Sequence, residues 1–300
     1  MATASMFFPA KVVFGEGSVQ HLGNEAAGLG KRAFLVTYRP GRLTAGGVVS
    51  RLLALLKQAG IEVALYHTEP DPCISDYDQG VGACLEASCD LVVGLGGGSV
   101  LDIAKGIAIL ATHDCSIREY QMGQASFARP GLPVIAIPTT AGTGSEVSRV
   151  IVVHNKELGI KRSVIDPRLI PKVALLDPEL TLTLPPDLTC AIGLDAFGHA
   201  LESFVSLDAN AFTEAIAFRA IRLIGRALPR AVECGSDIKA RSDMLFGSYL
   251  AGLSLSAGVG VAHILAQPVS AVTGLPHSRV IATLLPHVVQ ANFGYAAEKY

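Results

Sequence analysis

Asp195 and His199 stand one helical turn apart in the segment AIGLDAFGHALESF, and His263 and His277 follow in a stretch, Met244 to Ser278, with no Asp, Glu, Lys or Arg. Positions i and i+4 share a helix face, so this carboxylate and imidazole can converge on one point. An ionised carboxylate buried among neutral histidines costs several kcal/mol unless a cation compensates it. A divalent metal is the simplest such cation. One oxygen with three imidazole nitrogens suits Fe(II), Zn(II), Mn(II), Co(II) or Ni(II) and does not choose among them. The competing reading is a set of core or capping histidines, each bonded to a backbone carbonyl, beside an unrelated Asp. Any one histidine fits that account alone; the four residues together favour the metal. His21, His67, His113 and His154 read as surface or loop residues, and His287 reads as packing.

A second chemical feature is glycine-rich. The apolar run LVVGL leads into Gly96-Gly97-Gly98-Ser99 and then a helical pattern, VLDIAKGIAIL. Glycines at a strand-to-helix turn let backbone N–H groups approach a phosphate, and the helix N-terminus adds positive potential. The fingerprint GxGxxG is not met, because Ser99 stands where its third glycine belongs. The hydroxyl-rich turn PTTAGTGSEVS (138–148) follows the run PVIAIP. Two such loops at the carboxyl ends of parallel strands can line one crevice, where open α/β sheets bind ligands. Either loop alone is equally a tight turn with no ligand.

The elements that must position these residues follow from periodicity. Apolar runs at 33–37, 62–66, 91–95, 133–138 and 173–177 predict strands, with helices over 48–60, over 76–88 and from Ser99. Such β-α alternation predicts a doubly wound, mainly parallel sheet. Past LPPD (184–187) the pattern is helical only: 189–206, 211–233, 239–257, 260–273 and 278–293. The expectation is a Rossmann-like α/β domain over residues 1–184 and an all-helical domain over 185–300 that supplies every metal ligand.

Composition narrows the function further. The 300 residues are 50% hydrophobic and 17% charged, with a formal net charge of −2 and no Trp. No basic run exceeds a pair, which argues against a nucleic-acid partner. The uncharged stretch after Met244 holds Gly, Ser, His263, Gln267 and Pro268, too many breakers and polar groups for a lipid-facing span. With no basic n-region before an apolar run at the start, the reading is a cytoplasmic protein with its six cysteines reduced.

Taken together, FGEGSVQHLG, GLGGGSVLDIAKG, PTTAGTGSEVS, LLDPELTLTLPPDLT, GLDAFGHALES and HILAQPVSAVTGLPHSRVIATLLPHVVQAN resemble the iron-containing (group III) alcohol dehydrogenase family along essentially the whole chain. The resemblance implies a dehydroquinate-synthase-like architecture and a catalytic divalent metal, Fe(II) or Zn(II), in the cleft between the domains. It also implies hydride transfer between NAD or NADP and a small primary alcohol or aldehyde, and a homodimer or higher homo-oligomer. On the matching positions the metal ligands are Asp195, His199, His263 and His277. Cofactor contacts fall on Gly96, Gly97, Gly98, Ser99, Asp102, Thr139, Thr140, Thr143, Ser145 and Lys161, and on Asp71, where relatives often have Asn.

Three departures from the family pattern matter. Tyr38, with Arg39 and Arg42 nearby, stands where many relatives place the Asp that holds the adenosine ribose. Losing that carboxylate removes repulsion against a 2′-phosphate, so NADP(H) is expected to be accepted. Gln267 replaces a His near the nicotinamide, and glutamine hydrogen-bonds but does not shuttle protons. Relatives also continue through further helices past the point of Tyr300, so the chain is read as shortened, by fragmentation or naturally. A hydroxyacid–oxoacid transhydrogenase and a truncated, non-catalytic metal- or nucleotide-binding member remain the alternatives.

Overall fold

The protein, described here from a computed structural model covering residues 11–40 and 47–300, opens with a six-stranded parallel sheet. Its strands are β1 (Lys11–Phe14), β2 (Arg32–Tyr38), β3 (Glu62–Thr68), β4 (Leu91–Gly96), β5 (Val134–Pro138) and, last in the chain, β8 (Val173–Leu176). They lie in the order β1-β8-β5-β4-β2-β3. The central strands are buried on both faces, which is why β4 and β5 read as unbroken apolar runs rather than alternating ones. Phe34, Val36 and Val92 point to one face, where α3 (Ile74–Glu86) and α4 (Gly98–Leu110) contribute Tyr77, Ile103 and Ile107. Leu35, Leu91 and Val93 point to the other, against Leu52 and Leu56 of α2 (Val48–Gln58) and Leu22 of α1 (Leu22–Ala27). This is the period-two alternation of a pleated strand between two helical layers.

The chain steps from β2 outward to the edge strand β3, then returns to form β4 on the other side of β2. That reversal opens a crevice at the carboxyl ends of β2 and β4, where Tyr38 and Gly96 end their strands. After β4 come α4 and the short α5 (Ile117–Gln121). Between β5 and β8 the chain makes an antiparallel hairpin outside the main sheet, β6 (Val150–Asn155) with β7 (Ile160–Ile165).

β1 and this hairpin correct the predicted strand set. β1 is a four-residue edge strand with no buried position; β6 alternates half-buried and buried residues, and β7, beyond a charged turn, buries only Val164. Neither presents a continuous apolar run. Arg42 lies outside the described residues.

Beyond β8 the chain is helical: α6 (Pro186–Val205), α7 (Ala211–Glu233), α8 (Ile238–Ser254), α9 (Val261–Thr273) and α10 (His277–Ala296). Pro186 starts α6, where a missing N–H costs nothing. Asn210 caps α7 through the N–H groups of Phe212 and Thr213. The helices close over alanine-rich faces, with Ala196 and Ala200 of α6 against Ile224 and Ala227 of α7 and Met244 and Leu245 of α8. Among the described residues no single helix is long and apolar enough to cross a membrane.

Candidate metal centre and nucleotide cleft

Asp195 sits in the middle of α6, His263 in the first turn of α9, and His277 at the first position of α10. Helix packing brings a ligand atom from each within 4.8 Å of the others. Asp195 Oδ1 lies 3.4 Å from His263 Nε2 and 3.8 Å from His277 Nε2. Two donors bound tetrahedrally to one ion by bonds of about 2.1 Å sit ~3.4 Å apart, so the spacing suits a shared cation. Asp195 Oδ1 and His263 Nε2 are buried with no hydrogen-bond partner. Native interiors rarely leave such atoms unsatisfied, and a divalent ion would satisfy both at once.

His199 lies outside that three-residue set among the described residues. Its ring stacks on His263, with centroids 4.2 Å apart, and its Nδ1 meets the Gly142 carbonyl at 3.3 Å. That bond leaves Nε2 with the lone pair. Gln267 donates to Ser163 Oγ of β7 at 3.1 Å. His287 is exposed on α10.

Charge in the cluster is strongly polarised. Burial pushes the Asp195 carboxyl upward, but His199, His263 and His277 outweigh it and hold the pKa at about 2. Burial, together with the neighbouring imidazoles, lowers His199 to about 4. Burial also disfavours a charged His263, yet the carboxylates of Asp195 and Glu202 on either side of it lift it to about 9.

Glu202 is the functional neighbour that sequence reading passed over. It lies seven residues after Asp195 on α6, is 3% exposed, and accepts from His263 Nδ1 at 2.5 Å. Its only sequence signal is that spacing, three residues after His199, within a run otherwise apolar or small.

At the sheet crevice the two predicted loops meet. A Cβ on Gly98 would lie 2.5 Å from Thr143 Cγ2, and one on Gly97 would lie 3.3 Å from Thr140 and 3.5 Å from the Tyr38 hydroxyl. Thr139 N–H donates to the Gly96 carbonyl at 2.9 Å, while the Thr139 hydroxyl is buried without a partner. Ser145 donates to Asp102 at 2.5 Å, and Asp102 also accepts from the Val152 N–H. Tyr38 is 5% exposed; burial raises its pKa to about 12, against the opposing pull of a hydrogen bond with the Ser99 side chain. Asp71, at a φ of 61°, donates its N–H to Ser99 Oγ and pairs with Lys161 at 2.8 Å and with His154 at 3.0 Å. His154 thus belongs to the cleft rather than to a free loop. Its proximity arises from the β6–β7 hairpin, which the sequence did not reveal.

Glu146, next to Ser145, is buried with Oε1 unpartnered, and desolvation raises its pKa from 4.5 to about 7 despite Lys105 nearby. Below pH 4.5 the group is neutral in both folded and unfolded chains. Between 4.5 and 7 only the unfolded chain ionises, so stability falls as pH rises through that window and stays lost above it. The loss is about 3 kcal/mol. Glu146→Gln is expected to match the wild type in thermal unfolding at acid pH and to be more stable by about that amount above pH 7. Stability curves that stay parallel across the window would contradict the burial argument.

Comparison with known proteins agrees with this fold. The family model for iron-containing alcohol dehydrogenase matches residues 9–178, and the model for the C-terminal part of the Fe-containing alcohol dehydrogenase family matches 189–300. The chain belongs to the iron-containing alcohol dehydrogenase family. It is similar to the 1,3-propanediol dehydrogenase of Klebsiella pneumoniae, at 39% identity over 96% of this chain and 75% of that protein. The NAD-dependent methanol dehydrogenase of Bacillus methanolicus is 36% identical over 99% of this chain and 78% of its own length. The crystal structure of a 1,3-propanediol oxidoreductase superposes with a TM-score of 0.91 at 38% identity, covering 97% of this chain and 76% of that one.

Proposed function

We propose that the chain is an NAD(P)-dependent oxidoreductase of small primary alcohols and aldehydes, with residues 1–184 holding the nucleotide and 185–300 the metal. The observation that carries the reading is the pair of orphaned buried atoms, Asp195 Oδ1 and His263 Nε2, facing one point that His277 also reaches. When bound, Fe(II) or another divalent ion supplies Lewis acidity at the substrate oxygen, and the nicotinamide supplies or accepts hydride. Asp195, His263 and His277 would hold the ion, and His199 fits as a fourth donor through Nε2. The partly exposed side of the site at His277, whose side chain is 36% accessible, faces the entering alcohol. Gln267, fixed on Ser163, positions α9 and carries no proton. Small alcohols are favoured because the related enzymes named above act on methanol and 1,3-propanediol. Placement in the cytoplasm and assembly as a homodimer or larger belong to the same reading.

Gly96, Gly97, Gly98 and Ser99, with Thr139, Thr140, Thr143 and Ser145, form the cradle for the pyrophosphate, and Asp71, Asp102 and Lys161 flank it. At the end of β2 the neutral Tyr38 bonds Ser99. Arg39, 3.0 Å from Glu69, keeps a guanidinium at the same edge. No carboxylate at position 38 repels a 2′-phosphate, so the protein accepts NADP(H) as well as NAD(H). Tyr38→Asp is expected to weaken NADPH binding about tenfold or more, through a new like-charge contact, and to spare NADH. Fluorescence titration with both nucleotides measures this; equal weakening of the two would refute the role given to Tyr38.

The reading as a whole is tested by anaerobic purification, elemental analysis, and an assay of nicotinamide reduction with NAD⁺ and NADP⁺ across short alcohols. One metal per chain with turnover supports it. Protein that binds neither metal nor nucleotide would end it.

A further inference from the structure

We propose that Glu202 is a positioning residue for the metal centre: it fixes which nitrogen of His263 faces the Asp195 carboxylate. The inference rests on the metal reading above and concerns a residue that reading does not use.

One imidazole is held between two carboxylates that lie seven residues apart on a single helix. His263 Nδ1 is 2.5 Å from Glu202 Oε2, and Nε2 is 3.4 Å from Asp195 Oδ1. Seven residues return to the same face after about 10 Å of rise, so α6 presents both groups toward α9. Glu202 also accepts the N–H of Ala262 at 2.7 Å, so it anchors the first turn of α9 as well as the ring that turn carries. The approach requires a residue without Cβ at the start of α9, because one on Gly260 would sit 2.7 Å from Glu202 Oε1. Ser203 donates to Gly258 O and Ser206 to Ala257 O, which ties the preceding loop to the same helix.

An ionised carboxylate only accepts, so His263 must present an N–H at Nδ1. The lone pair is then confined to Nε2, the nitrogen that lacks any hydrogen-bond partner. Carboxylates behind ligand imidazoles act in this way in general, and their loss weakens metal binding by about 10–100-fold.

Glu202→Gln is the sharp variant. Its amide keeps the volume and can still accept from Ala262, but its NH₂ can face Nδ1, move the proton to Nε2 and block the lone pair. Metal-stripped wild type and variant would be titrated with Zn(II) against a chelating dye, with thermal unfolding of the metal-free forms measured in parallel. The expected result is a Zn(II) affinity about 10–100-fold weaker in a variant whose metal-free form still unfolds cooperatively. A variant with wild-type affinity overturns the assignment. Wild-type protein that takes up no Zn(II) overturns the underlying metal reading instead, and the assignment with it. Should the variant fail to fold, nitrogen NMR of the Zn(II)-loaded wild type decides. A strongly deshielded proton on His263 Nδ1 supports the role, and metal on Nδ1 overturns it.

Discussion

Replacing Asp195 by Asn is expected to empty the metal centre and to lower turnover by about a thousandfold or more. Asn keeps the shape of the side chain but removes the charge around which the histidines are arranged. That charge is 2% exposed, and its carboxyl is held at about pKa 2 by His199, His263 and His277. Three neutral imidazoles with an amide bind a divalent ion far more weakly than with an anion, since hard oxygen donors contribute chiefly through charge. Lewis-acid stabilisation contributes several kcal/mol, and each ~1.4 kcal/mol is a factor of ten in rate, which sets the size of the fall. Elemental analysis after equilibration with Fe(II) or Zn(II), paired with the nicotinamide assay, reads both quantities. Retained metal and retained turnover would mean that Asp195 is a core carboxylate and no ligand. The same analysis on His199→Ala separates a fourth donor from a ring that only stacks on His263.

Gly144→Ala is expected to produce the largest structural loss outside the metal centre. Gly144 has a φ of +62°, and a Cβ there would lie 2.4 Å from Gly252 Cα in α8. The obstacle is backbone and cannot rotate away. A left-handed conformation forced on alanine costs about 1 kcal/mol and overpacking another 1–3, so roughly 2–4 kcal/mol of stability is lost. In a chain of this size that lowers the unfolding midpoint by about 3–6 °C. Nucleotide affinity should fall with it, because Thr143 and Ser145 flank the displaced residue. Gly159→Ala is the control: its φ is +63° but nothing lies within 4 Å of its Cβ, so only the conformational cost applies. Equal losses at the two positions would show that contact with α8 is unimportant.

The parts legible in the sequence were those written in local patterns. Asp195 and His199 announced themselves by spacing and by the lack of charge around them. The strands β2, β4 and β5 did so as doubly buried apolar runs, and the glycines by standing at a strand-to-helix turn. What stayed hidden depends on tertiary placement. Glu202 looks like any helical glutamate until α9 docks on α6, and His154 like a loop residue until β6 carries it to Asp71. His199 illustrates the opposite limit. Helical spacing put it on the same face as Asp195, but whether its free nitrogen reaches the other three donors is set by ring rotation, which spacing does not encode.

The helix α9 has a consequence of its own. His263 stands in its first turn, Gln267 rests on Ser163, and Ser270 receives Lys161 Nζ at 3.1 Å, the same ammonium that pairs with Asp71 beside the glycine loop. One short rod thus spans from the proposed metal ligands to the proposed nucleotide cleft. By thermodynamic reciprocity, any factor by which an occupied cleft tightens metal retention must equal the factor by which the metal tightens the nucleotide. Stripping the ion would then loosen the dinucleotide by that same ratio, and a titration of either one reports on the other.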